Sequence, residues 1–185
     1  MKKTLITILA TVLVCCCVVG GTLAWLVAST QTVTNTFTVG NVSITLTETG
    51  ANADNGYAQD FKMIPGNTIN KDPKVTVAEG SEKCWLFVKV EKANNPDTYL
   101  DYSVDSSWKE LDGVEGVYYI QNATAGSEYP VLTDNKVTVK SALTAADMAA
   151  ANANKPGLKF TAYAAQADNL TTAAAAWNAV QNPTT

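Results

Sequence analysis

The residue types that carry most enzyme chemistry are sparse in this chain of 185 residues. It contains no histidine, which excludes Ser-His-Asp and Cys-His nucleophilic catalysis, the HExxH zinc site and ordinary histidine-ligated metals. Its 17 acidic residues are scattered singly through predicted turns and strand ends, as on a solvated surface. A carboxylate pair could still serve a hydrolase of the glycosidase type. We therefore predict a non-enzymatic protein without a cofactor, with a carboxylate-dependent hydrolase as an alternative.

Thiol and calcium chemistry are also limited. Three of the four cysteines lie together at Cys15–Cys17 in the apolar N-terminal segment. Cys84 alone remains beyond it, so we expect neither an internal disulfide nor a cysteine zinc site. In "CWLFVKV" Cys84 shares a face with Leu86 and Val88, which indicates a small buried hydrophobe. The stretch "NADNGYAQD" at 52–60 carries oxygen ligands that could bind calcium, although its spacing departs from the EF-hand loop.

The charge balance makes nucleic acid an unexpected partner. The net charge is −4 at neutral pH, and all 13 basic residues are lysine. An acidic chain without arginine lacks the bidentate reader of phosphates and bases.

The N-terminus has the order of a secretory signal. Lys2 and Lys3 precede an apolar run, and small residues follow it. The run from Leu5 to Ala28 is also long enough to span a bilayer, so cleavage and retention as an anchor are both possible. We predict a signal helix over 1–28, cleaved near Ala24 to Ala28, and export with membrane contact only through this segment before cleavage.

The rest of the chain reads as short strands separated by turns. Period-two alternation of apolar residues predicts strands, and Asn, Asp, Gly and Pro clusters punctuate them. The predicted strands are "VSITL" (42–46), "KVTVA" (74–78), "CWLFVKV" (84–90), "VYYI" (117–120), "KVTVK" (136–140) and "LKFTAYAAQA" (158–167). This pattern favours an all-β sandwich.

Two alanine-rich segments predict short helices in the loops of this β framework. In "LTAADMAAANAN" Thr144 is an N-cap with Asp147 three positions on. In "TTAAAAWNAVQ" Thr172 is the cap, and Trp177 and Val180 share a face.

The junction between the signal and the first strand carries a family resemblance. "GGTLAW" followed by "NTFTVGNVSITL" resembles the signal and first strand of exported proteins processed by the SipW-type signal peptidase, which include the TasA and camelysin matrix proteins of Gram-positive bacteria. The matching residues of the processing region are Gly21, Thr22, Ala24 and Trp25, with Ala28 as the alternative cleavage position. The matching residues beyond it are Asn35, Phe37, Gly40, Val42, Ile44 and Leu46. Weaker similarity, as in "MIPGNTINKDPKVTV" and "AYAAQADNLTTAAAAWNAV", extends over nearly the whole chain.

The resemblance implies a jelly-roll-like antiparallel β-sandwich, secreted to the cell surface or biofilm matrix. It implies a SipW-type signal peptidase as a partner, and possible contact with other matrix or cell-surface proteins. It also implies self-association into fibres, in which an N-terminal strand of one subunit completes the sheet of its neighbour. Camelysin-like members have been classed as metallopeptidases, an activity that the missing histidines disfavour here.

The apolar residues on either side of Gly40 fall on opposite phases. Those before it occupy odd positions and those after it even ones: Val33, Phe37 and Val39, then Val42, Ile44 and Leu46. One continuous strand cannot bury both sets on one face, so the phase must switch near Gly40–Asn41 by a bulge or a turn. We therefore predict a separate N-terminal strand over 29–40 and a β-sandwich domain over 41–185.

That strand is threonine-rich and uncharged, so it lacks the charges that guard exposed edges. We predict that Thr30 to Val39 adds to the edge of another subunit, with Val33, Asn35, Phe37, Val39 and Gly40 as its assembly residues. Folding back into its own subunit is an equal alternative.

The main rival function is a monomeric adhesin or binding module. Its contacts with a glycan or a host protein would come from exposed aromatic residues, some of which alternation could instead place in the core: Tyr99, Tyr102, Trp108, Tyr118 and Tyr119.

Overall fold

The computed structural model describes residues 41–51 and 59–182. Within them lie ten strands and two α-helices. The strands are β1 (Ile44–Thr47), β2 (Thr68–Asn70), β3 (Lys74–Val77), β4 (Cys84–Ala93), β5 (Leu100–Asp101), β6 (Lys109–Glu110), β7 (Val117–Ala123), β8 (Glu128–Pro130), β9 (Lys136–Val139) and β10 (Gly157–Gln166). The helices are α1 (Ala145–Asn154) and α2 (Ala173–Gln181).

The strands form three antiparallel sheets. Their orders are β1-β3-β8, β10-β4-β7-β6 and β2-β9-β5. The longest ladder joins β4 to β10 over ten residue pairs, from Ala93↔Gly157 to Cys84↔Gln166. On its other side β4 pairs with β7, with an irregular register between Cys84 and Leu86. The predicted β-rich fold is therefore confirmed at the level of antiparallel sheets.

One core cluster joins the β1-β3-β8 sheet to one face of β4. Val75 and Val77 of β3 pack in this cluster with Leu86 and Val88 of β4, and all four are fully buried. Cys84 belongs to the same cluster and is fully buried, as its alternation with Leu86 and Val88 predicts.

A second core cluster lies on the opposite face of β4. Trp85 and Phe87 point there because successive side chains of a strand alternate, and helix α2 covers them with Ala176 and Trp177. Both faces of β4 are thus buried, which explains its unbroken apolar run from Cys84 to Val88.

The caps predicted for both helices are present. Thr144 and Asp147 form a reciprocal capping box at the start of α1, and the Thr172 hydroxyl accepts a hydrogen bond from the Ala175 N–H in α2. The position of α2 differs from the prediction, because it follows the last strand and packs on a sheet instead of lying in a loop between strands. Among the residues that the structure describes, neither helix is long and apolar enough to cross a membrane.

The six predicted strands are all present, with boundaries shifted by up to three residues. Four shorter strands lack a periodic signal because each has only two or three residues: β2, β5, β6 and β8. The predicted signal helix at 1–28 and the predicted N-terminal strand at 29–40 lie outside the described residues.

The environment of Cys84 predicts an unreactive thiol. Burial raises the pKa of the Cys84 thiol to about 11, so the reactive thiolate is scarce at neutral pH. We expect a disulfide reagent such as Ellman's reagent to label Cys84 at pH 8 only after denaturation. Labelling of the native protein at the rate of the unfolded chain would contradict this buried environment.

Candidate functional site

Two edge strands border one side of the first core cluster. Among the described residues, β1 pairs only with β3, and β10 pairs only with β4. The two strands lie beside each other and contribute to the same cluster. We call the space along their unpaired edges the β1/β10 groove.

The inward-facing residues of this groove are incompletely buried. Their partners in β3 and β4, such as Val77 and Leu86, are 0% exposed. The residues of the groove pack against that core but are each only half-buried: Val42, Ile44, Leu46, Phe160, Ala162 and Ala164. Within the part of the chain that the structure describes, the core is therefore less completely covered along this side than beneath β3 and β4.

The two edges carry little charge to oppose an added strand. Strand β1 has the sequence ITLT, without a charged residue. Strand β10 has one, Lys159, whose side chain is 74% exposed and pairs with Glu91 at 3.4 Å. Lysines and other charges on edge strands are a usual guard against unwanted pairing. Charged side chains therefore offer little protection against the pairing of another strand with these edges.

An ion pair closes one end of the groove. The Lys71 ammonium contacts both carboxylate oxygens of Glu48, at 2.8 and 3.1 Å. The two side chains are only 13% and 15% exposed. The same ammonium lies over the rings of Phe61 and Phe160, 5.1 and 5.4 Å from their centroids. These cation–π contacts tie the end of β1 to the start of β10.

The opposite end of the groove is held by hydrogen bonds from the backbone around the start of β1 to the loop before β4. Glu82 N–H donates to the Asn41 carbonyl at 3.0 Å, and Ser43 N–H donates to Ser81 Oγ at 3.1 Å. Strand β4 begins two residues after Glu82, and Cys84 pairs with Gln166 at the end of β10. Strands β1 and β10 therefore run in opposite directions. Because paired strands lie about 4.8 Å apart and Cα atoms of β1 and β10 already come within 8 Å of each other, an added strand would pair with one of the two edges.

A carboxylate fixes the loop that follows β1. Asp72 accepts hydrogen bonds from Thr49 N–H at 3.0 Å and from the Thr49 hydroxyl at 2.6 Å. The Thr49 hydroxyl is the largest cause that lowers the pKa of Asp72 below its ordinary 3.8, against a smaller opposing effect of burial.

The lowered pKa of Asp72 predicts an acid-sensitive contribution to stability. A carboxylate favoured in the folded state stabilises it fully above the unfolded pKa, and this contribution is lost as the pH falls through the folded pKa. We expect Asp72→Asn to cost about 1 kcal/mol at pH 7 and less at a pH below the folded pKa, which lies under 3.8. Urea unfolding of both proteins across this range measures the difference. An equal cost at both pH values would contradict it.

The predicted processing and assembly residues lie outside the described residues. These are Gly21, Thr22, Ala24, Trp25, Ala28, Val33, Asn35, Phe37, Val39 and Gly40. The alternation predicted after Gly40 is confirmed. The apolar residues at even positions, Val42, Ile44 and Leu46, face the core, whereas Ser43, Thr45 and Thr47 are exposed. Most of the possible calcium stretch, 52–58, is also outside them. Within 41–51 and 59–182, no three acidic or cysteine side chains group as metal ligands would.

Of the five aromatic residues proposed for a binding module, two are buried and three are half-buried. Tyr99 and Trp108 are 7% and 5% exposed, so the alternative that some of these aromatic residues belong to the core holds for these two. Trp108 packs in the first core cluster, and its indole donates to the Pro130 carbonyl at 2.7 Å. Tyr119 is half-buried and packs against Trp85.

Tyr102 is the member of this set that lines a polar groove on the β2-β9-β5 sheet. The groove also contains Thr68, Asn70, Asp101 and Asp134. The Tyr102 hydroxyl donates to Asp97 at 2.5 Å. Burial, followed by this hydrogen bond, raises the pKa of Tyr102 to about 12.

The sequence gives no signal for the Glu48–Lys71 pair, because its members are 23 residues apart and belong to no local motif. The edge of β10 that has no partner strand among the described residues is also a tertiary property. Its small residues Ala162 and Ala164 are the one local hint, since they leave room for a neighbour.

Comparison of the chain with protein-family models, with curated proteins and with solved structures finds no match.

Proposed function

We propose that this chain is a secreted structural protein of the cell surface or biofilm matrix that assembles into fibres. Its domain over 41–185 would be a jelly-roll-like β-sandwich, and Thr30 to Val39 of one subunit would add to the β1/β10 groove of the next. The role is structural and not catalytic. The resemblance of the N-terminal segment to SipW-processed matrix proteins supports export and processing.

The observation that carries the proposal is the half-burial of the inward-facing groove residues beside a fully buried core. A donor strand supplies main-chain hydrogen bonds to an edge and alternate side chains to the pockets beneath it. Val33, Phe37 and Val39 alternate in the donor as this requires. Phe37 is its largest side chain and its main anchor.

The direct test compares assembly of two chains by electron microscopy and size-exclusion chromatography. One begins near Ser29, and the other lacks all residues up to Val39. We expect filaments from the first and folded monomers from the second. Two folded monomers would overturn the fibre proposal. Marked loss of monomer stability in the shorter chain would show that the strand folds into its own subunit.

A pair of matched variants tests the anchor. Phe37→Ser removes the apolar side chain, while Thr38→Ser introduces the same residue on the opposite face of the strand. We expect Phe37→Ser to abolish filaments and Thr38→Ser to retain them. Equal assembly of both variants would exclude Phe37 as the anchor.

A monomeric binding module is the second candidate function. The observation in its favour is the polar groove beside Tyr102, where hydroxyl, amide and carboxylate groups could bind a glycan. If the chain never forms filaments, a glycan array with Tyr102→Ala as the control tests it. Binding that survives Tyr102→Ala would exclude this groove.

A further inference from the structure

A cavity of about 590 Å³ lies beside helix α1. Its walls come from α1, the segment 59–63, the β2-β9-β5 sheet and the start of β10. The apolar part of the lining includes Met63, Ile69, Leu100, Val137, Met148 and Leu158. Protein interiors are close-packed with few voids larger than a water molecule. A cleft of this size lies within the range of small-molecule sites.

Few side chains of helix α1 form the wall of this cavity. Ala151 is the one buried residue of the helix, and Met148 is half-buried beside it. The start of the helix is closed by hydrogen bonds within the helix itself, and its C-terminal end is fastened to the residue after β4. The capping box of Thr144 and Asp147 fixes the start, and the Asn94 amide donates to the Asn154 and Lys155 carbonyls at the finish. Met148 therefore faces a cavity in place of a packed core, and methionine adapts readily to a ligand.

The charges around the cavity favour an anion. Three lysines line it against one acid, Asp60, although the whole chain carries a net charge of −4. Lys71 is neutralised by Glu48. Among the described residues, Lys62 forms no ion pair, and the Lys155 ammonium donates to the uncharged Asn152 side chain at 3.0 Å. With Lys71 neutralised, Lys62 and Lys155 against Asp60 leave a net charge of +1 (2 − 1) over an apolar floor, which matches a molecule with an apolar body and one negative end.

We propose that this cavity binds amphipathic carboxylates, in which an aliphatic chain is attached to a single carboxylate. The chain would lie against Met148, Leu100 and Leu158, and the carboxylate would pair with Lys62 and Lys155. The cavity adjoins the closed end of the β1/β10 groove, because Lys71 and the start of β10 border both, but the proposal does not rest on filament formation.

Isothermal titration calorimetry of the purified full chain with decanoate tests the proposal. We expect saturable binding of one decanoate per chain, and binding at least about tenfold weaker for decyltrimethylammonium, which has the same chain length and the opposite charge. Absence of saturable decanoate binding, or equal affinity for the two ions, would overturn the proposal.

Two pairs of variants locate the binding. Met148→Trp fills the cavity and should weaken decanoate binding at least about tenfold, whereas Ala150→Trp adds the same ring to the exposed side of α1 and should leave it within about twofold. Lys155→Glu should weaken binding about fivefold, and Lys83→Glu, away from the cavity, should leave it unchanged. Circular dichroism verifies that each variant is folded. If Met148→Trp does not fold, the lysine pair decides. Unchanged binding in both Met148→Trp and Lys155→Glu would overturn the proposal.

Discussion

Replacing Trp177 with alanine is expected to lower the free energy of unfolding by about 3–5 kcal/mol. Trp177 is 8% exposed and is the largest side chain that α2 contributes to the second core cluster. Its ring centroid lies 5.3 Å from those of Phe87 and Tyr163. The substitution therefore removes buried apolar surface and two aromatic contacts, and leaves a cavity over the sheet.

Denaturant unfolding followed by far-ultraviolet circular dichroism measures this loss. Asn178→Ala is the matched control, because Asn178 is the exposed neighbour of Trp177 in the same helix. We expect the control to stay within about 0.5 kcal/mol of the parent. A loss below about 1 kcal/mol for Trp177→Ala would show that α2 contributes little to the stability of the sheet it covers.

Replacing Gly116 with alanine is expected to cost about 3 kcal/mol or more. Gly116 has φ +70°, and a Cβ added there would lie 2.6 Å from the Val90 carbonyl oxygen. The left-handed conformation costs an alanine about 1–2 kcal/mol, and the forced overlap with backbone adds about 1–3 kcal/mol. The Gly116 carbonyl also accepts a hydrogen bond from Val90 N–H at 2.8 Å, so any shift of the turn disturbs β4.

Gly113 separates the two contributions. It lies in the same connection with φ +77°, but a Cβ added there would meet nothing within 4 Å. Gly113→Ala should therefore cost only the conformational part, about 1–2 kcal/mol. Thermal and urea unfolding of the two variants give the comparison. Equal losses would mean that the close approach to Val90 is relieved without cost.

The sequence predicts the local elements well because their signals are local. The alternation in "CWLFVKV" identifies β4, and Thr144 followed by Asp147 identifies the start of α1. Trp177 could be assigned to a helix and to one of its faces. Its contacts with Phe87 and Tyr163 could not be assigned, because they depend on which face of β4 the helix covers. Strands of two residues, such as β6, are too short for any periodicity to appear.

The features of the candidate site also divide into those with a local sequence signal and those set by the tertiary structure. The phase change around Gly40 predicts a boundary near Asn41, and the even-phase residues do face the core. That β1 and β10 are edge strands beside each other depends on the order of strands in two sheets. The alternation of residues within one strand does not show which other strands lie beside it. The Glu48–Lys71 pair that closes the groove is set by the same tertiary arrangement.

The ladder between β4 and β10 also determines when the domain can fold. Gly157 pairs with Ala93 and Gln166 with Cys84, so strands β5 to β9 and helix α1 all lie between the two partners along the chain. Closing such long loops costs entropy before any contact is gained, and it makes folding slow. During synthesis β4 cannot form this ladder until β10 has left the ribosome, and β10 is the last of the described strands to do so. For the exported protein that we propose, this delay keeps the longest ladder open until the final segment is free, which favours threading through a translocation channel.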